Sequence, residues 1–331
     1  MSVAPPLTPE RARAWGKYAE TSPLYQRLNE VVAGDNSLMS VLNSIEHTPR
    51  QNILFAGVQY LMLRDGGGEL AQYFPNFTDR PRDLADVAGT LTEFVTAHAD
   101  ELSEIGRTRF TQTNECRRCV ALLPGIWATP AERFHLIDFG TSAGLNLQLD
   151  RYAYRWDGTT WGPDSPVLLE TESRGAEVSP REIEVLTRIG LDLDPVDPTD
   201  HDARLWLEAL IWPEHHERRH RLRAALDLAA ADPPQLVTGD ALTTLGPAID
   251  ELPADAPVVV INSFILNQIP RADRTRYDDI LNERRSHRPI YRVSMEWLDP
   301  SADAADLAVD DGSGLRQVGA AQPHGEWLEL Q

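Results

Sequence analysis

The residues whose types and order best suit chemistry lie in the stretch LIDFGTSAGLNLQL. Asp138 stands two positions before Gly140, and Gly140-Thr141-Ser142-Ala143-Gly144 leads into Leu145 and Asn146. Glycines at such a point let the backbone turn sharply and approach a ligand closely. A helix starting near Leu145 would offer its first N–H groups to polar ligand atoms. Three later stretches also place polar groups after apolar runs. Residues 188–195 carry Asp192, an acid suited to ribose hydroxyls. QLVTGDAL carries Asp240-Ala241, where an acid can meet an adenine amino group, and VVVINSF carries Asn262 and Ser263. Singly, each acid suits a helix cap equally well. Four in order at four successive strand ends point to one crevice.

Other residues form candidates outside that series. Asn114, Glu115 and Arg118 open a helix after Gln112 and Thr113 and suit a substrate; Glu115 there also suits the helix dipole. His216-Glu217-Arg218-Arg219-His220 has the HExxH spacing of zinc peptidases. However, the apolar stripe through Leu222, Ala225, Leu226 and Ala229 extends back to Arg218, Arg219 and His215. That leaves His216 and His220 on a solvated flank. Cys116 and Cys119 make a single CxxC with no second pair, which reads as two thiols on a helix in a reducing compartment.

The elements that must position these groups divide the chain. Over residues 1–130 the pattern is helical. Thr8-Pro9, Ser22-Pro23 and Thr48-Pro49 each read as a hydroxyl cap followed by proline, and Thr48 with Gln51 fits a capping box. Helices are expected over 83–98 and 114–127, and this half is expected to form a helical cap or lid over the strand ends. Over 131–331 short apolar runs (HLIDF, PVVVIN, PIYRVSMEW) alternate with helical patterns at 202–231, 242–251 and 271–287, which predicts an α/β domain with a parallel sheet. An insertion near 152–180 lengthens the gap between the glycine turn and Asp192. DLAVDD, Gly312-Ser313-Gly314 and LRQVGAAQP predict a terminal antiparallel hairpin.

The 331 residues carry a formal net charge of −20 and 42% apolar residues. That field disfavours nucleic acid as a partner. The start, MSVAPPLTPERARAW, reads as no signal peptide, and no run predicts a membrane span, so a cytoplasmic protein with a small-molecule or peptide substrate is expected.

The strand-end motifs resemble class I S-adenosylmethionine-dependent methyltransferases. That resemblance implies a Rossmann-like methyltransferase sheet with S-adenosylmethionine as cofactor. Asp138, Gly140, Thr141, Ser142 and Gly144, with Asn146, would line its methionine and ribose side. Asp192 would hold the ribose diol, Asp240 and Ala241 the adenine, and Asn262 would face the transferable methyl, with Glu115 a second catalytic candidate and Asn114 and Arg118 on the substrate. Ser142 stands where many members have a second glycine. TQTNECRRCVALLPG, DFGTSAGLNLQLDRYAYRW, GLDLDPVDPTDHDARLWLEALIWP and QPHGEWLEL are also similar to the bacterial domain-of-unknown-function family DUF2332, over most of the chain. The expected function is methyl transfer. A non-methylating nucleotide- or S-adenosylmethionine-binding protein is the alternative from the same fold, and a zinc peptidase through His216 and His220 the alternative from the rival motif.

Overall fold

A computed structural model describes residues 5–297 and 302–331; the first four residues of the start read above for a leader lie outside them. Two compact units emerge, residues 1–113 with 201–220, and 114–200 with 221–331. Against a division at residue 130, the stretch 114–130 falls with the sheet, and 201–220 falls with the helical unit.

The helical unit contains α1 (Pro9–Ala14), α2 (Pro23–Gly34), α3 (Asn36–Ser44), α4 (Arg50–Asp65), α5 (Val87–Ala97) and α6 (Ala99–Thr108). Thr8 and Ser22 cap α1 and α2 as their sequence predicts. Thr48 does not cap α4. Pro49 takes the cap position, which moves Gln51 one place too close to the start for a capping box; Gln51 is buried and donates to the Ala12 carbonyl. α4 is apolar almost all round, from Ile53 to Met62, so it forms the centre of the unit, and Gly66 ends it in a left-handed conformation.

In the sheet unit α7 (Cys119–Trp127) leads into β1 (Arg133–Phe139), followed by β2 (Ala153–Trp156), β3 (Thr159–Trp161), β4 (Leu168–Gly175) and β5 (Glu184–Asp192). The expected helical stretch 202–231 is two helices, α8 (His201–Ala209) in the helical unit and α9 (His216–Ala231), broken around Pro213. Then come β6 (Gln235–Thr238), α10 (Ala241–Asp250), β7 (Val258–Ser263), α11 (Arg274–Arg285), β8 (Ile290–Glu296), β9 (Ala305–Asp310), β10 (Arg316–Ala321) and β11 (Trp327–Leu330).

The strands form one sheet in the order β3-β2-β4-β11-β10-β9-β8-β7-β1-β5-β6. β6, β5, β1, β7 and β8 are all parallel. The order reverses between β1 and β7, so their carboxyl ends flank the crevice where open α/β sheets bind ligands. β9 and β10 pair antiparallel around Gly312 and Gly314, the predicted hairpin. The insertion becomes β2, β3 and β4, and β4 pairs with β11 at the far end of the sheet.

Alternation along the strands divides the side chains between two faces. Ile137, Phe139, Leu191, Val258, Val260 and Ile290 share a buried cluster with Leu245 of α10 and with Tyr277 and Leu281 of α11. The opposite face meets α7, where a Cβ on Gly125 would lie 2.5 Å from Val293. This parity decides which polar residue at each strand end faces which way.

Candidate binding site at the strand ends

Asp138 lies on the α7 face of β1, one residue before its end, and is buried. Its Oδ2 accepts from Thr141 Oγ1 at 3.1 Å. Burial raises its pKa to about 7, with a further push from Asp192, against the opposing effects of Thr141 and Arg118.

The following loop has φ of +88° at Gly140, +49° at Ser142 and +70° at Gly144. Ser142 thus holds a backbone conformation that glycine adopts more readily, and neighbouring side chains hold it there. Asn114 Nδ2 donates to Ser142 Oγ at 2.8 Å, and Asp192 Oδ2 accepts from Ser142 N–H at 2.8 Å. The helix expected at Leu145 is a short 3-10 turn, Leu145–Arg151. Tyr152 and Tyr154 hydroxyls donate to the carbonyls of Leu145 and Leu149, drawing the chain off into β2 before an α-helix can extend.

The hydrogen-bond count of this loop is decisive. Gly140 and Thr141 N–H both donate to Leu191 O (2.8 and 3.2 Å), and Gly144 N–H donates to Thr141 O at 3.0 Å. Ser142 N–H meets Asp192, and Ala143 N–H meets Asn114 Oδ1 at 3.1 Å. Every N–H from Gly140 to Gly144 is therefore matched within the protein. The loop offers no cradle of free N–H donors. Gly140 owes its lack of a side chain to Ile265, since a Cβ there would lie 2.6 Å from Ile265 Cγ1.

Asp192 ends β5, as expected, and is half-buried; its Oδ1 accepts from Asp194 N–H at 3.1 Å. Leu193, which sequence reasoning missed, is 74% exposed directly beside it. The signal was present as an apolar residue between two aspartates. Gly239 N–H donates to Asp192 O at 2.8 Å and brings the β6 loop alongside. There Asp240 caps α10 through Leu242 N–H at 2.9 Å, with Ala241 half-buried behind it.

Asn262 does not face the crevice. It shares the parity of Val258 and Val260, so it points toward α11 and is fully buried. Its Oδ1 accepts from Tyr277 Oη (3.2 Å) and Arg292 Nε (3.1 Å), and its Nδ2 donates to Ser294 Oγ (3.0 Å) and Glu296 Oε1 (2.9 Å). All four hydrogen-bonding positions are filled, so none remains for a methyl acceptor. Ser263, of opposite parity, takes the crevice side, where Arg118 Nη1 (3.3 Å) and Asn146 Nδ2 (3.4 Å) reach its Oγ. Arg118 also donates to Pro323 O at 3.1 Å and lies 4.4 Å from the Phe264 ring. Asn114, Glu115 and Arg118 belong to the sheet unit. Glu115 is buried, caps the turn at Arg117 N–H (3.1 Å) and pairs with Arg221 Nε at 3.2 Å, a structural engagement.

His216, Glu217 and His220 are exposed on α9, while Arg219 is buried, as the stripe predicts. Among the described residues no three His, Cys, Asp or Glu side chains group so as to hold a metal ion. Cys116 and Cys119 are buried and not joined in a disulfide, and burial pushes the Cys119 pKa up. No helix among the described residues is long and apolar enough to cross a membrane.

No curated protein and no solved structure matches the chain. A family model described as "Uncharacterized protein conserved in bacteria (DUF2332)" matches residues 10–330, and the chain belongs to that family.

Proposed function

We propose that the chain binds S-adenosylmethionine at the crevice between β1 and β7 and transfers its methyl group to a small molecule or peptide. One observation carries this reading: the glycine loop uses all its N–H groups internally while Asp138 and Asp192 line the same strand ends. Glycine loops that hold nucleotide phosphates do so through free backbone N–H donors. An acceptor-rich crevice instead suits a ligand rich in hydroxyl and ammonium donors and free of phosphate. Each Asp192 oxygen holds one N–H and keeps a second lone pair for a ribose hydroxyl. Leu193 offers an apolar surface to a purine, with Asp240 and Ala241 beyond it.

The cofactor supplies a methyl group on a sulfonium. The chain's own part is to fix the acceptor in line and exclude water. A base is needed only where the acceptor must lose a proton, and Asn262 and Glu115 are both engaged within the fold. That engagement favours a second reading, a protein that binds the cofactor without transferring its methyl group.

Calorimetry of the full chain with S-adenosylmethionine, S-adenosylhomocysteine, ATP and NAD is the test. Saturable binding of the first two, without the phosphate-bearing pair, is expected. Absence of both sulfur ligands at millimolar concentration overturns the cofactor reading. Binding without label transfer from methyl-labelled cofactor to small-molecule or peptide acceptors selects the second reading.

A further inference from the structure

The turn after β7 carries backbone strain. Phe264 has φ +56°, a left-handed conformation that a bulky side chain adopts only when its surroundings compel it. Its ring meets the Arg118 guanidinium, and Trp297 packs against it edge-on with centroids 4.6 Å apart. Ile265, the next residue, packs on Gly140 and brings the β7 side of the crevice against the β1 side.

What compels the turn is a carboxylate from β8. Glu296 is buried on the α11 face, and its Oε1 accepts from Asn262 Nδ2 (2.9 Å), Ile265 N–H (2.9 Å) and Leu266 N–H (3.2 Å). Phe264 N–H donates to Met295 O at 3.1 Å and completes the attachment. Burial raises the Glu296 pKa against the three donors and Arg292. A parallel strand can end without an interior acid, so a buried carboxylate at this point needs a reason beyond pairing.

We propose that Glu296 is a positioning residue of the crevice. It fixes Phe264–Leu266 so that Ile265 forms one wall of the ligand site against Gly140 and Phe264 backs Arg118. This rests on the crevice being the cofactor site. Since all three donors meet one oxygen, the role requires an acceptor rather than a charge, and glutamine should preserve it.

The test compares wild type, Glu296→Gln and Glu296→Ala in the full chain by amide exchange over residues 264–268 and by calorimetry with S-adenosylhomocysteine. Glu296→Ala should speed exchange of the Ile265 and Leu266 amides by about 10-fold or more. Strands β7 and β8 should stay protected, and affinity should fall by about 10-fold or more, as misplacement at a site does. Glu296→Gln should match wild type in both. Unchanged exchange in Glu296→Ala, equal damage in both variants, or faster exchange with unchanged affinity each overturns the proposal. If Glu296→Ala fails to fold, Ile265→Ala takes its place, and wild-type affinity in that variant overturns the wall assignment. Failure of wild type to bind S-adenosylhomocysteine overturns the cofactor reading alone, and exchange then decides whether Glu296 sets the turn.

Discussion

The loops after β1 and β7 flank one crevice, and each is held by a carboxylate from the neighbouring strand. Asp192 of β5 holds the first through Ser142, from a half-buried position with acceptor capacity to share. Glu296 of β8 holds the second from the interior, where Asn262, Ile265 and Leu266 converge on one oxygen. The two clamps look alike in sequence, as an acid near a strand end. Their positions on opposite faces give them different work: one can exchange contacts with a ligand, and the other keeps the backbone in place.

The sharpest contrast comes from disturbing the interior clamp. Asn262→Leu should cost about 3–5 kcal/mol in chemical denaturation, because Arg292, Glu296, Tyr277 and Ser294 lose partners where water cannot replace them. A loss below about 1 kcal/mol would mean that the network is not a structural unit.

On the crevice face, Asp138 tests the other side by pH. Its pKa is 3.8 when free and about 7 in the fold. Between those values the folded protein keeps a proton that the unfolded chain has released, so this group lowers stability as pH rises from about 4 to about 7. Asp138→Asn cannot ionise and still accepts from Thr141. Its stability relative to wild type should therefore climb across that window by about 2–4 kcal/mol and then level off. Denaturation at a series of pH values reads this directly; a flat difference would place Asp138 in contact with solvent.

Smaller again is the binding effect at Asp192. Asp192→Asn should weaken S-adenosylhomocysteine by about 10- to 150-fold, or roughly 1.5–3 kcal/mol, while one oxygen still holds Ser142. Asp194→Asn, on an exposed residue that meets Asp192 through its backbone, should stay near wild type. Equal affinities would remove the distinction between the two clamps. The least effect is expected from His216→Ala with His220→Ala, within about 0.5 kcal/mol, because both lie in solvent. Stoichiometric zinc lost in that variant would reopen the peptidase reading.

Much of this organisation could be read from residue order. Apolar runs ending in polar groups located β1, β5, β6, β7 and β8, and Gly312 with Gly314 located the terminal hairpin. The errors have a common cause. Asn262 and Ser263 are neighbours on a strand, and only one can face the crevice. Counting from Val258 and Val260 would have sent Asn262 inward, but which face is the crevice depends on where α7 and α11 pack. The 3-10 turn at Leu145 was hidden for a similar reason, since Tyr152 just beyond it and Tyr154 of β2 bond back to its carbonyls. Glu296 gave no signal because its partners, the Asn262 side chain and two backbone N–H groups of the turn after β7, come from a distant part of the sequence.

One consequence lies in the order of synthesis. β4 leaves the ribosome between β1 and β5, yet its register partner is β11, with Glu172 opposite Trp327. Its backbone on that side therefore stays without its final neighbour until β11 has emerged. Long-range pairings of this kind form slowly, and an unpaired strand edge is a template for association between chains. β4 carries Glu170, Glu172 and Arg174 in that interval, all exposed. These charges suit a strand that must wait without recruiting a second copy of itself.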